Sequence, residues 1–199
     1  MRPLEPITEH EMVAHFLKTE VHSVRFREEL LGLLAREGLE PRIFEAPDTR
    51  NAEENAHRLR LLGEYRGYRR REGIFMYVPD DTAWYRTALD REELVRLRYI
   101  NYDYWTELSG GTRRVLDAAP RIRAGIEVFG QSTEWALGMA REVERGAVFP
   151  ELILVAADPA ADLTVLEGHA RATAYGLALE HVPDPLPVIV GFGPGMERV

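Results

Sequence analysis

The sequence contains no cysteine. Disulfides, thiolate catalysis, cysteine-ligated zinc and iron–sulfur clusters are therefore excluded. Lysine is almost missing as well. Lys18 stands alone, and the other 24 of the 25 basic residues are arginine. That leaves next to no place for a phosphate-loop lysine or a Schiff-base lysine. Long apolar runs are also lacking. Stretches such as Leu152 to Ala157 fall far short of the roughly 18 residues that span a bilayer. The first residues, Met1 to Glu5, carry no apolar signal core, so a cytoplasmic location and no membrane partner are expected.

What remains is 199 residues, of which 45% are hydrophobic and 29% charged, enough for a sizeable buried core. Asp and Glu number 33, which sets the net charge at −8. The excess sits late in the chain. Residues 131–199 hold four arginines against ten acids. Affinity for nucleic acid comes mostly from neutralising phosphates, so no nucleic-acid partner is expected there.

Residues 1–119 read as mainly helical. Thr8 and Glu11 have the spacing of a capping box, followed by Met12, Val13, Phe16, Leu17, Val21 and Val24 at helical intervals. A second helix is predicted over 26–36, and Asn51 with Glu54 starts a third. Ile74 to Val78 reads as a short strand. Asp90 and Glu93 predict a helix running through Leu94, Leu97, Ile100 and Tyr104 to the break at Gly110 and Gly111. After about Pro120 the character changes. Ile126–Phe129 reads as a strand, and Ser132 opens a helix that ends at Gly146. Strands follow over 152–156, 163–166 and 188–190, with a helix over 170–179. The expected fold is α+β: a mainly helical region, 1–119, followed by a small α/β core with a mixed sheet, 120–199.

The densest chemistry lies at Glu167, Gly168, His169 and Arg171, with Thr173 on the helix beyond. A strand ends and a helix begins after a glycine. Helix N-termini present free N–H groups to anions. Arg171 offers a fork of donors for phosphate, and Glu167 can hold a metal ion or take a proton. The same residues also fit a plain strand-to-helix turn in which Arg171 pairs with Glu167. The phosphate reading expects Arg171→Ala to keep its stability and lose nucleotide. The ion-pair reading expects Arg171→Ala and Glu167→Gln to lose stability.

The order of these elements resembles the nucleotide-binding core of the ParB/sulfiredoxin superfamily over about residues 121–199. The resemblance rests on Gly168-His169-Ala170-Arg171 after a strand, the helix with Ala174 and Tyr175, and the segment Leu186 to Val190. Sulfiredoxins place a cysteine after the glycine, where this chain has His169. Partitioning ParB proteins place Glu-Arg-Arg there, of which only Arg171 is kept. Variants with an acid before the glycine are closer, and these resemble free-serine kinases. The resemblance implies Mg-dependent phosphoryl transfer from ATP or ADP to a small hydroxylated or amino-acid-like molecule. Glu167 and His169 would then be catalytic, with Glu167 also the metal ligand. Gly168, Arg171, Thr173, Arg121 and Arg123 would bind phosphate. The alternative is a non-catalytic nucleotide-sensing or protein-interaction module. A homodimer is compatible with either.

Three other clusters carry weaker signals. His10-Glu11 begins like a zinc-protease motif, but His15 comes one residue too late, about 140° around a helix from His10. Packing or surface histidines are expected. Arg66, Arg69, Arg70 and Arg71 interleave with Tyr65 and Tyr68, a pattern that suits single-stranded nucleic acid or, with Glu64 and Glu72 beside it, a solvated or interdomain face. Tyr99, Tyr102, Tyr104 and Trp105 are expected on one helix that packs against the rest of the chain.

Overall fold

The structure is a computed structural model that describes residues 3–199. It is α+β, built on a mixed six-stranded sheet with nine α-helices among the described residues. The chain opens with strand β1 (Glu5–Ile7) and helix α1 (Glu9–Val21). The Thr8 capping box forms as expected: Glu11 N–H donates to Thr8 Oγ1, and the Glu11 carboxylate accepts from Thr8 N–H. Helices α2 (Arg27–Arg36), α3 (Arg42–Glu45) and α4 (Ala52–Arg66) follow. Asn51 caps α4 through the amides of Glu53 and Glu54. Gly67 ends it in the left-handed conformation at φ +82, where a Cβ would lie 2.4 Å from the Glu72 carbonyl oxygen.

Next come β2 (Ala83–Leu89), α5 (Arg91–Leu94), β3 (Arg98–Tyr99), α6 (Asp103–Leu108) and α7 (Val115–Arg123). The hairpin β4 (Glu127–Val128) and β5 (Gln131–Ser132) precedes α8 (Glu134–Glu144). Strands β6 (Leu152–Ala156) and β7 (Thr164–Glu167), helix α9 (His169–Leu177) and strand β8 (Leu186–Phe192) complete the fold. The strand order is β1-β2-β8-β6-β7-β3. Strands β8 and β6 run parallel, as do β7 and β3; the other neighbours are antiparallel. Residues on both sides of 119/120 thus enter one sheet, and Pro120 lies within α7.

Two apolar layers enclose the sheet. Successive side chains on a strand point to opposite faces. Leu152, Leu154, Val165, Val188 and Val190 face the layer that holds α7, α8 and α9. Ile153, Val155, Leu166 and Ile189 face the layer made by α1–α4. That is why the central strands read as unbroken apolar runs rather than alternating ones. The expected segments 152–156, 163–166 and 188–190 all join this sheet.

Several expectations need correction. Residues 74–78 form no strand: Gly73–Phe75 is a 3-10 turn. The helix predicted from Asp90 through Tyr104 is three elements. Its capping box is real, but α5 stops at Leu94. Arg98 N–H then donates to Leu163 and Val115 N–H to Leu97, because pairing with β7 outweighs the helical spacing. Tyr99 therefore sits on a strand, while Tyr104 and Trp105 sit on α6. Arg121 and Arg123, expected among the phosphate-binding residues, lie on α7. Strand β2 was not expected, although it pairs with β8 over seven residues.

The layer α1–α4 contains one fully buried cation. Arg58 donates to the carbonyls of Ile43 (3.1 Å) and Asp48 (2.8 Å) and to Glu54 (3.3 Å), which ties α4 to the α3 turn. Removing one partner of such a set leaves the others buried and unpaired. Arg58→Met is expected to lower unfolding free energy by about 3 kcal/mol, read from urea denaturation.

Candidate functional site

Strand β7 ends at Glu167 and α9 begins at His169, as the sequence predicts. Gly168 takes φ +99, and no side chain caps the first turn of α9. The geometry also requires glycine for a second reason. A Cβ at Gly168 would meet Leu152 Cδ2 at 2.6 Å and Arg171 Nη2 at 3.0 Å. Arg171 itself folds back over the glycine.

The Arg171 guanidinium is buried and already engaged. Nη2 pairs with the Glu167 carboxylate one turn earlier. Nη1 donates to the carbonyls of Pro150 (2.7 Å) and Glu151 (3.1 Å). The arginine joins the end of β7, the start of α9 and the entry to β6. Of the two readings of this motif, the ion pair of Arg171 with Glu167 is the arrangement present.

His169 turns the other way. Its ring stacks on Trp105 of α6, with centroids 4.9 Å apart and planes 13° apart, and lies 6.3 Å from the Tyr99 ring. Nε2 is buried without a partner, so the ring's bond to the Val165 backbone engages Nδ1. Burial, helped by the nearby Arg171 charge, pushes the imidazole pKa down to about 3. His169 is a neutral ring with an unshared lone pair on Nε2.

The remaining predicted residues are placed elsewhere. Thr173 is buried, and its hydroxyl bonds the His169 carbonyl and the Tyr99 hydroxyl, both at 2.8 Å. Arg121 donates to the carbonyls of Leu108 (3.0 Å) and Glu107 (3.1 Å), which closes the C-terminal end of α6. Arg123 donates to Leu177 (2.7 Å) at the end of α9. Cations at helix C-termini satisfy free carbonyls and favour the dipole. Gly168, Glu167 and Arg171 are brought together; Arg121 and Arg123 serve helix ends.

Residues from the N-terminal helices complete the surroundings of Glu167, which sequence reasoning missed. Two side chains of α1 reach the sheet, at β2 and at the entry to β6. Glu11 approaches Arg86 of β2 at 3.8 Å, and His15 Nε2 donates to the Glu151 carbonyl at 2.9 Å. Glu20, a turn and a half further on, feels the charge of Glu167 at the end of β7. Glu20 is buried, accepts from Arg66 Nη2 at 2.7 Å and from the Tyr65 hydroxyl, and has its pKa raised by burial. The Arg66 guanidinium lies over the rings of Phe26 (4.3 Å) and Tyr65 (4.1 Å). The only signal in the sequence was a glutamate, Glu20, on the apolar stripe of α1.

Chemically, this end of the sheet is a row of alternating charges that largely satisfy one another. The free elements are the first-turn amides of α9 and the His169 lone pair. Magnesium fits poorly: Glu167 already has Arg171 as its counter-ion. Among the described residues no three acidic or histidine side chains gather as a metal site. Comparison with protein-family models, curated proteins and solved structures gave no match. No helix among the described residues is long and apolar enough to cross a membrane.

Two expectations follow. Arg171→Ala strands the Glu167 carboxylate and two carbonyls and is expected to cost about 3–5 kcal/mol in a denaturation experiment. Glu167→Gln, which keeps an acceptor, should cost less. For His169, the folded pKa of about 3 lies below the free value of 6.5. Between these values the unfolded chain binds more protons, so stability is full above about pH 6.5 and falls as pH drops toward 3. His169→Phe keeps the stack and removes the proton. Its stability should fall less steeply over that window, by up to about 1.4 kcal/mol per pH unit.

Proposed function

We propose that the chain binds a nucleotide at the β7–α9 junction. The carrying observation is Gly168, held left-handed at a strand end so that the uncapped first turn of α9 offers its amides. Such a turn suits phosphate through both its free N–H groups and its dipole. The ParB/sulfiredoxin-like resemblance extends this reading to phosphoryl transfer from ATP or ADP to a small hydroxylated or amino-acid-like acceptor. On that reading Glu20, protonated more readily than an ordinary glutamate, is a further acid beside Glu167.

One observation favours a second reading, nucleotide sensing without turnover. The groups assigned to transfer are paired internally: Arg171 with Glu167 and two carbonyls, Arg121 and Arg123 with helix ends. Transfer needs Arg171 to exchange its partners for phosphate, whereas binding through the α9 amides does not.

Thermal-shift titration of the full chain with ATP, ADP, CTP and GTP, with and without magnesium, tests the shared premise. A nucleotide at 100 times its Kd should stabilise the fold by about 2.7 kcal/mol. No shift with any nucleotide rejects both readings. A shift with phosphate transfer to serine or a related hydroxylated acceptor supports the enzyme, and a shift without transfer or hydrolysis supports the sensor.

A further inference from the structure

The arginine run of residues 66–71 divides in two once its partners are known. Arg66 is held by Glu20, and Arg69 donates to Glu9 through Nε (2.7 Å) and Nη2 (2.5 Å). Both are structural and fasten the end of α4 to α1. Arg71 has no such partner among the described residues. It sits at φ +54, a backbone conformation that costs an L-residue free energy. Arg69 at φ +58 is held there by Glu9, whereas no carboxylate pairs with Arg71 among the described residues.

Arg71 instead lines a hollow of about 150 Å³ together with Arg198, Tyr77, Met76, Pro79 and Pro194. None of the lining residues is acidic. Arg198 also lacks an ion-pair partner among the described residues, and its guanidinium is stacked 4.6 Å over the Tyr77 ring. Tyr77 and Met76 are among the exposed large apolar side chains, 36% and 48% accessible, so the wall of the hollow is open to a ligand. The hollow follows Phe192, which pairs with Ala156 at the far end of β6, whereas Glu167 pairs with Ile153 near its start. It is therefore at the opposite end of the sheet from Gly168.

We propose that this hollow binds a phosphate monoester carried on a small apolar or aromatic body. Two unpaired guanidinium groups match a dianion in charge, and arginine forks match phosphate oxygens in geometry. The stack on Tyr77 holds the Arg198 fork before any ligand arrives, which lowers the ordering cost of binding. Met76, Pro79 and Pro194 form an apolar wall for the body that carries the phosphate. A nucleic-acid strand needs a track of cations along its backbone. Here Arg66 and Arg69 are consumed by carboxylates and Arg70 lies toward Gly63 of α4, outside the hollow, so Arg71 and Arg198 form a point site rather than a track.

Calorimetric titration of the full chain with phenyl phosphate, inorganic phosphate, phenol and a 20-nucleotide single-stranded DNA tests the proposal. Phenyl phosphate is expected to bind more tightly than inorganic phosphate, and phenol not at all. Arg71→Gly, which suits the left-handed backbone and so keeps the fold, should weaken binding about tenfold or more. Arg198→Ala should do the same. Neither change touches the α9 turn, so this site and nucleotide binding at Gly168 fail separately. The proposal is overturned if phenyl phosphate does not bind or if both variants bind it as the parent does. It is equally overturned if inorganic phosphate binds as tightly as phenyl phosphate, or if the DNA strand binds more tightly than either and loses affinity in the same variants.

Discussion

The Arg171 guanidinium is the point on which this end of the molecule depends. One side chain satisfies a carboxylate at the end of β7 and two carbonyls at the entry to β6, and it covers the glycine that turns the chain into α9. Each of those groups is buried or half-buried and would be costly unpaired. The clasp also reaches α1, because the Glu151 carbonyl accepts from both Arg171 and His15. A single cation thus registers β6, β7, α9 and the N-terminal helices against one another. The glycine, the arginine and the glutamate belong to one structural device before they belong to a ligand.

That device constrains function without removing it. A saturated guanidinium is a poor phosphate ligand at rest, yet its saturation leaves the α9 amides and the His169 ring in fixed positions. Preorganised donors around an uncapped helix turn suit binding more directly than catalysis, which requires groups that change partners. Burial, aided by the charge of Glu167, raises the pKa of Glu20. The site is rigid where it is paired and chemically open only at the few atoms the fold leaves unmatched.

Much of the fold was legible because its causes are local. The Thr8–Glu11 and Asp90–Glu93 boxes form as their spacing predicts, and the apolar runs that became β6, β7 and β8 are buried on both faces. The strand–Gly168–helix turn was legible for the same reason. Strand β3 was not, since Arg98 and Tyr99 sit within helical spacing and become a strand only by pairing with β7. Strand β2 was hidden too: Arg86 and the alanines dilute its pattern, and its extended form depends on seven residues of β8 about a hundred positions later.

The sequence by itself determined the α+β composition, the capped helices, the central apolar strands and the strand-to-helix turn at Gly168. Only the tertiary structure decided which charges meet. Twenty-four arginines and 33 acids offer many pairings, and nothing in their spacing ranks partners far apart in the chain. Arg121 and Arg123 look like ligand-binding residues until helix ends take them, and Glu20 looks like a stray charge until it meets Arg66 and Tyr65. Apolar burial follows from local pattern because it is non-directional. An ion pair depends on the separation and burial of two particular groups, which exist only once the layers have packed.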